Sequence, residues 1–164
     1  MKKRIILAVA LTILNTILCL AQDREKKFSF YGTTDPVATY HDGFNFGVGV
    51  EYQMNYFYTG AQLYTFPELR GKTYTHLIGS VGLNLHANNS IWRFFSGIHA
   101  GVIYREGGHA IFGFEGGIDF KIKGTSLYFG IGGSYDYRAD GKVWGANEPN
   151  YWRLNGNGRF GFLW

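Results

Sequence analysis

Two pairs of residues in the chain have the types needed for chemistry. His99 and Glu115 lie on the polar faces of adjacent alternating segments. A hairpin centred near Gly107 would set them opposite one another, as in an acid–base dyad or a proton path. A hydrogen bond that merely satisfies both groups uses the same residues and asks for less. His76 and Ser80 pair a base with a hydroxyl, the raw material of nucleophilic catalysis. At four residues' separation along an extended strand they stand ~13 Å apart, too far for proton transfer.

Metal and phosphate chemistry find less support. His41, Asp42, Glu106 and His109 fall in or near expected loops, and no two histidines have the spacing of a ligand pair on one helix or strand. The glycine-rich run Gly130–Tyr137, "GIGGSYDY", lacks the strand, loop and helix order of a phosphate cradle. Its glycines suit close backbone approach in a narrow, strongly curved sheet. No catalytic residue, metal ligand or cofactor is expected.

The elements that would position these residues are strands. The 164 residues suffice for one domain, and 24 Gly, 18% aromatic residues and three Pro favour strands and tight turns over helices. Residues 1–21 stand apart, with the basic start Met1–Arg4, an apolar run Ile5–Leu20 and the small Ala21. That is the layout of a secretory signal peptide cleaved after Ala21, and the apolar run of ~16 residues is short for a membrane-spanning helix. Leu18 before the single Cys19 departs from a lipidation signal. Two segments are therefore expected, a signal peptide over 1–21 and one domain over 22–164. Loss of the leader leaves thirteen Lys and Arg against twelve Asp and Glu, so the pI near 9.1 overstates how basic the working protein is. A nucleic-acid partner loses its electrostatic basis.

Beyond Gln22 apolar residues alternate with polar ones or Gly in eight blocks: Lys27–Thr33, Gly43–Gln53, Tyr56–Phe66, Thr73–His86, Ile91–Arg105, His109–Ile122, Ser126–Arg138 and Tyr151–Trp164. In the sixth, Ala110, Phe112, Phe114, Ile118 and Phe120 alternate with His109, Glu115, Asp119 and Lys121. In the eighth, Trp152, Leu154, Phe160, Phe162 and Trp164 alternate with Arg153, Asn155, Asn157 and Arg159. Short turns at Met54-Asn55, Asn88-Asn89 and Lys123–Thr125 alternate with longer connections at 34–42, 67–72 and 139–150. Glu106–Gly108 is the one short link on the long side.

A soluble barrel and a membrane barrel both have one apolar face. The polar face here is rich in Gly and poor in Lys, which suits a crowded lumen better than a solvated exterior. Tyr52, Trp92 and Trp164 beside the short turns, and Tyr64, Tyr74, Tyr104, Tyr137 and Trp152 beside the long ones, suggest two interfacial girdles. The expectation is an all-β, eight-stranded, antiparallel, up-and-down transmembrane barrel.

With its leader, its eight amphipathic blocks and the closing "RFGFLW", the chain resembles the small eight-stranded outer-membrane barrels of Gram-negative bacteria, the OmpA/OmpX-like superfamily. The resemblance covers nearly the whole mature chain and rests on pattern. It implies that Phe160, Phe162 and Trp164 form a C-terminal signal read by the barrel assembly machinery. Some members of this fold are enzymes that deacylate or acylate lipid A; the deacylases carry His-x-Ser on a strand, and no His-x-Ser occurs here.

Eight strands enclose an interior just wide enough to be filled by side chains. Glu51, Asn84, Arg93, His99, Glu115, Asp119, Lys121, Asp136, Arg153 and Arg159 are expected to fill it as a paired polar network. By turn position, Asn84 should face Arg93 and Glu51 should face Tyr58. The function so implied is structural, membrane-integrity or surface-interaction work by a non-catalytic monomer in outer-membrane lipid. The loop 139–150 with Trp144 would be available to a surface partner. A narrow pore or carrier is the alternative.

Overall fold

A computed structural model describes residues 27–69, 72–87, 91–141 and 150–164. The leader over 1–21, the Asn88-Asn89 turn and Trp144 lie outside the described residues.

Alternation works out as a closed barrel. Strands β1 (Lys27–Thr34), β2 (Phe46–Gln53), β3 (Phe57–Leu69), β4 (Lys72–Ala87), β5 (Trp92–Tyr104), β6 (Gly108–Lys121), β7 (Leu127–Arg138) and β8 (Tyr151–Leu163) run in chain order around the wall. Each pairs antiparallel with the next, and β1 closes on β8 from Ser29–Leu163 to Thr34–Gly158. Because side chains alternate across a strand, one set faces in and the other out. The outward set is apolar: Phe30, Val48, Leu83, Ile98, Phe114, Ile131, Leu154 and Phe160 are all exposed. The inward set holds the buried charges, with Glu51 3% and Asp119 4% exposed.

Glycines give the lumen room for rings. A Cβ at Gly49 would run into the Tyr31 ring, one at Gly97 into Tyr58, and one at Gly117 into Phe95. Large inward rings therefore reach over bare backbone one or two strands away. The glycine content and the aromatic content serve one packing device.

Three turns place the register two residues from the expectation. Met54 and Phe57 exchange both backbone hydrogen bonds, so the turn is Asn55-Tyr56 and Glu51 faces Gly60, not Tyr58. Arg93 faces His86, not Asn84, and His99 faces Gly113, not Glu115. In the β5–β6 turn Glu106 has φ 52° and Gly107 φ 136°, which moves the centre one residue towards β5. A shift of two preserves which face each side chain occupies, where a shift of one would have inverted it. Asn84 with Arg93 and His99 with Glu115 still meet, diagonally rather than face to face, whereas Tyr58 donates to Glu115 and not to Glu51.

One element is new. Within the expected 34–42 loop, Pro36–Asp42 forms a short helix, α1, and Gly43–Asn45 are not strand. Asp35 caps it, accepting from Ala38 N at 2.9 Å, and Pro36 occupies the first turn. Asn45 ties both ends: its Oδ1 accepts from Asp35 N (2.7 Å), and its Nδ2 donates to Asp35 O (3.0 Å), to Thr39 Oγ1 (2.8 Å) and, past the C-terminal end, to Gly43 O (3.3 Å).

Candidate functional site: a layered polar lumen

The inward residues form three layers along the barrel axis. Nearest the short turns is a quartet of two arginines and two acids. Arg93 from β5 places Nη1 2.7 Å from Glu51 Oε1 and 2.7 Å from Asp119 Oδ2. Arg159 from β8 grips Asp119 through Nε (2.7 Å) and Nη2 (2.5 Å) and lies 3.5 Å from Glu51 Oε2. The charges balance. Asn84 accepts from Arg93 Nε at 2.7 Å, and Gln53 donates to Glu51 at 2.8 Å. Phe95 is wedged between the two guanidiniums, with Arg159 Cζ 3.9 Å and Arg93 Cζ 5.2 Å from its ring centre. Tyr58 meets Phe95 edge-on, at 88° between the ring planes. Charge pairs held in so dry a place need this completeness, since an unpaired buried charge is expensive.

The middle layer centres on His99. Its Nε2 is 2.9 Å from Asp136 Oδ1, and its Nδ1 is 3.6 Å from Glu115 Oε2. These are ion-pair contacts, not well-aligned hydrogen bonds. Tyr58 donates to Glu115 at 2.5 Å and Asn155 to Asp136 at 2.6 Å. His99 thus bridges two acids whose remaining oxygens are engaged by neighbours.

Towards the long loops lies an aromatic layer. Tyr64, Phe66, Tyr74, Ile103 and Ile111 pack around Ala38 of α1. Tyr74 donates to Asp140 at 2.6 Å, and Arg138 reaches Asp140 through Nε (3.3 Å) and Nη2 (3.1 Å). Arg138 Nη2 also donates to His76 Nε2 at 3.4 Å. Tyr64 and Tyr74 therefore belong to the lumen, not to an outer girdle; Tyr64 faces Gly47 across the β2–β3 pair, on the inward face.

Of the expected network, Glu51, Asn84, Arg93, Asp119 and Arg159 form the quartet, and His99, Glu115 and Asp136 the middle layer. Arg153 pairs in register with Asp136 and is half-buried. Lys121 is half-buried beside the short turns, and its side chain joins no ion pair among the described residues. Arg138, Asp140, Asp35, Asn45 and the ring set were not expected. Inward parity alone marks Arg138, two residues from Asp136. Asp140 sits outside any strand, where alternation gives no signal; Asn45 carries the polar-face parity of the expected block Gly43–Gln53 but stands just before β2.

Between the lower two layers and the aromatic one lies a cavity of about 60 Å³. Its lining includes Asp35, His76, His99, Glu115, Asp136 and Asn157. It has room for a few waters and no more. Ser80 and Ser134 are the inward serines at mid-height, and Ser134 Oγ accepts from Asn155 at 3.4 Å. No group of three or more His, Cys, Asp or Glu among the described residues is arranged to hold a metal.

The chain matches no family model, curated protein or solved structure. Among the described residues no helix is long and apolar enough to cross a membrane, which bears only on helices.

Proposed function

We propose that the protein is an integral barrel of a Gram-negative outer membrane, exported by its leader, with a closed lumen and a structural, membrane-integrity or surface-interaction role. The observation that carries this is the inversion of the barrel: apolar outside, charged inside. In water that arrangement would expose rings and aliphatic chains all round the wall. In hydrocarbon it is the stable one, because the closed sheet satisfies its own backbone.

Spacing supports the same reading. Trp152 and Trp164 lie at opposite ends of β8, both exposed. Twelve residues at about 3.3 Å each, tilted by about 40°, separate them by about 30 Å along the barrel axis, close to the hydrocarbon thickness. Around Trp152 gather Tyr135 (ring centres 4.9 Å apart), Tyr137 (5.5 Å) and Phe112 (6.1 Å). At the other end Trp164 stacks on Phe28, and Trp92 meets Phe120 with the ring planes tilted by 59°. Two aromatic bands at this separation suit two headgroup regions.

The quartet speaks against a pore or carrier, since its ring and ion-pair layer fills the lower lumen. Lipid is the principal partner in this reading, the assembly machinery a transient one through Phe160, Phe162 and Trp164, and the working unit a monomer. Cell fractionation tests the proposal. Outer-membrane recovery with heat-dependent gel mobility supports it, and recovery as a soluble periplasmic protein refutes it. Currents in planar bilayers containing the purified protein would refute the closed lumen.

A further inference from the structure

The barrel wall is incomplete on one side. β1 pairs with β8 only as far as Thr34–Gly158, whereas β8 runs on to Tyr151 with β7 alone beside it. Phe28 and Trp164 exchange backbone bonds across the β1–β8 seam, so the even residues of β8 aim their N–H and C=O that way. Past Gly158 this leaves Gly156, Leu154 and Trp152 facing a gap. On the far side β2 begins only at Phe46, opposite Thr65, while β3 continues through Pro67. Pro67 occupies a position that would direct an N–H into the gap and carries none.

α1 stands in this gap. Pro36 and Val37 lie against the outer side of Gly156, where an added Cβ would be 3.1 Å from Val37 Cγ2. Gly156 N donates to Asp35 Oδ1 at 3.1 Å, and Ala38 turns into the lumen at 1% exposure. With Val37 on the outer side and Ala38 in the lumen core, the helix takes a place in the wall. Directly behind it is the cavity, lined by Asp35 and Gly156 as well as by the middle layer.

We propose that α1 is a displaceable panel closing a side passage from the outer rim into the lumen cavity, and that the passage admits small cations. This goes beyond the closed-lumen reading, because the quartet beneath stays shut. The panel is lightly held. It is seven residues long, too short to be stable alone, and Ala38 is its one buried anchor among its described side chains. It is flanked by Asp35 and by Gly43, whose φ of 93° and open surroundings allow a hinge. Asn45 ties Asp35 and Thr39 from beyond the helix end. The choice of cations follows from the lining: Asp35, Glu115 and Asp136 outnumber His76 and His99 even when both are protonated, and Arg138 is neutralised by Asp140.

Full-length protein carrying Cys19→Ser and one reporter, Gln62→Cys on the cavity wall, can be reacted in detergent with small cationic and anionic methanethiosulfonates. The parent should label slowly. Asn45→Ala should raise the cationic rate by at least about tenfold, since even one or two lost hydrogen bonds shift a local opening that far. The anionic rate should rise less. Heat-dependent mobility reports whether the variant is folded; should Asn45→Ala fail that check, Thr39→Val removes one tie and gives the same comparison. Equal rates in parent and released variant, or a parent as reactive as an exposed surface cysteine, would overturn the panel. A faster anionic reagent would overturn the cation preference. Because the measurement is made in detergent, its failure leaves the membrane proposal standing, and the reverse also holds.

Discussion

Replacing Asp119 by Ala should be among the most damaging single changes in the barrel. Its carboxylate receives Arg159 Nε and Nη2 and Arg93 Nη1, at 2.7, 2.5 and 2.7 Å, and it is 4% exposed. Without it, two buried guanidiniums share one acid, and Arg159 keeps only the 3.5 Å contact to Glu51. Breaking a buried pair in this way costs about 3–5 kcal/mol, chiefly because a charge is left uncompensated. At about 1.4 kcal/mol per decade, the unfolding equilibrium moves by roughly two to three and a half decades. The double variant Asp119→Leu/Arg159→Met removes both the acid and its main partner and leaves the Arg93–Glu51 pair intact at 2.7 Å. It should recover most of the loss, because an apolar pair of similar size is often neutral in place of a buried ion pair. Urea unfolding of the refolded protein in lipid vesicles, followed by gel mobility, measures these two variants and the single changes Asp119→Leu and Arg159→Met that complete the cycle, with a coupling energy above about 2 kcal/mol expected. A single variant costing under about 1 kcal/mol, the value of a solvated pair, would refute the dry, balanced quartet.

Three further outcomes follow from the wall. Gly49→Ala should destabilise by about 1–3 kcal/mol by overpacking against Tyr31, whereas Gly79→Ala, whose Cβ would have no neighbour nearer than 3.9 Å, should be tolerated in the same unfolding assay. Phe114→Arg, on the outward face and 61% exposed, should cost about 2–4 kcal/mol for refolding into bilayers and little for refolding in detergent. Deleting Trp164 should lower the amount assembled in cells more than the yield refolded in detergent, with cell-fraction immunoblots as the readout, although the deletion also removes the Phe28 stack; equal assembly would count against a C-terminal signal.

Strand order and facing were legible because alternation is a local property that closure does not alter. Phe112 and Glu115 fall on the faces their parity assigns. Register was legible only to within two residues. It depends on where each turn places its bend, and Asn55-Tyr56 has no composition that marks it over Met54-Asn55. The helix was within reach, since Asp35-Pro36 is a cap followed by a first-turn proline, but seven residues are too few to show helical periodicity. The quartet's members could be named from parity, yet their pairing could not, because Arg159 meets Asp119 only after β7 is bridged across the barrel wall. The seam left by a short β1–β2 pair is likewise invisible until strand ends are compared across the closure.

A nitroxide scan along β6 in lipid vesicles, from Ala110 to Phe120, tests most directly the claim that this barrel is inverted for lipid. Oxygen, which concentrates in hydrocarbon, should collide most with labels at even positions such as 112, 114 and 118. Labels at odd positions, in the filled lumen, should be shielded from oxygen and from a water-soluble nickel chelate alike. Even positions that respond to the nickel chelate instead of oxygen, or no two-residue period at all, would contradict it.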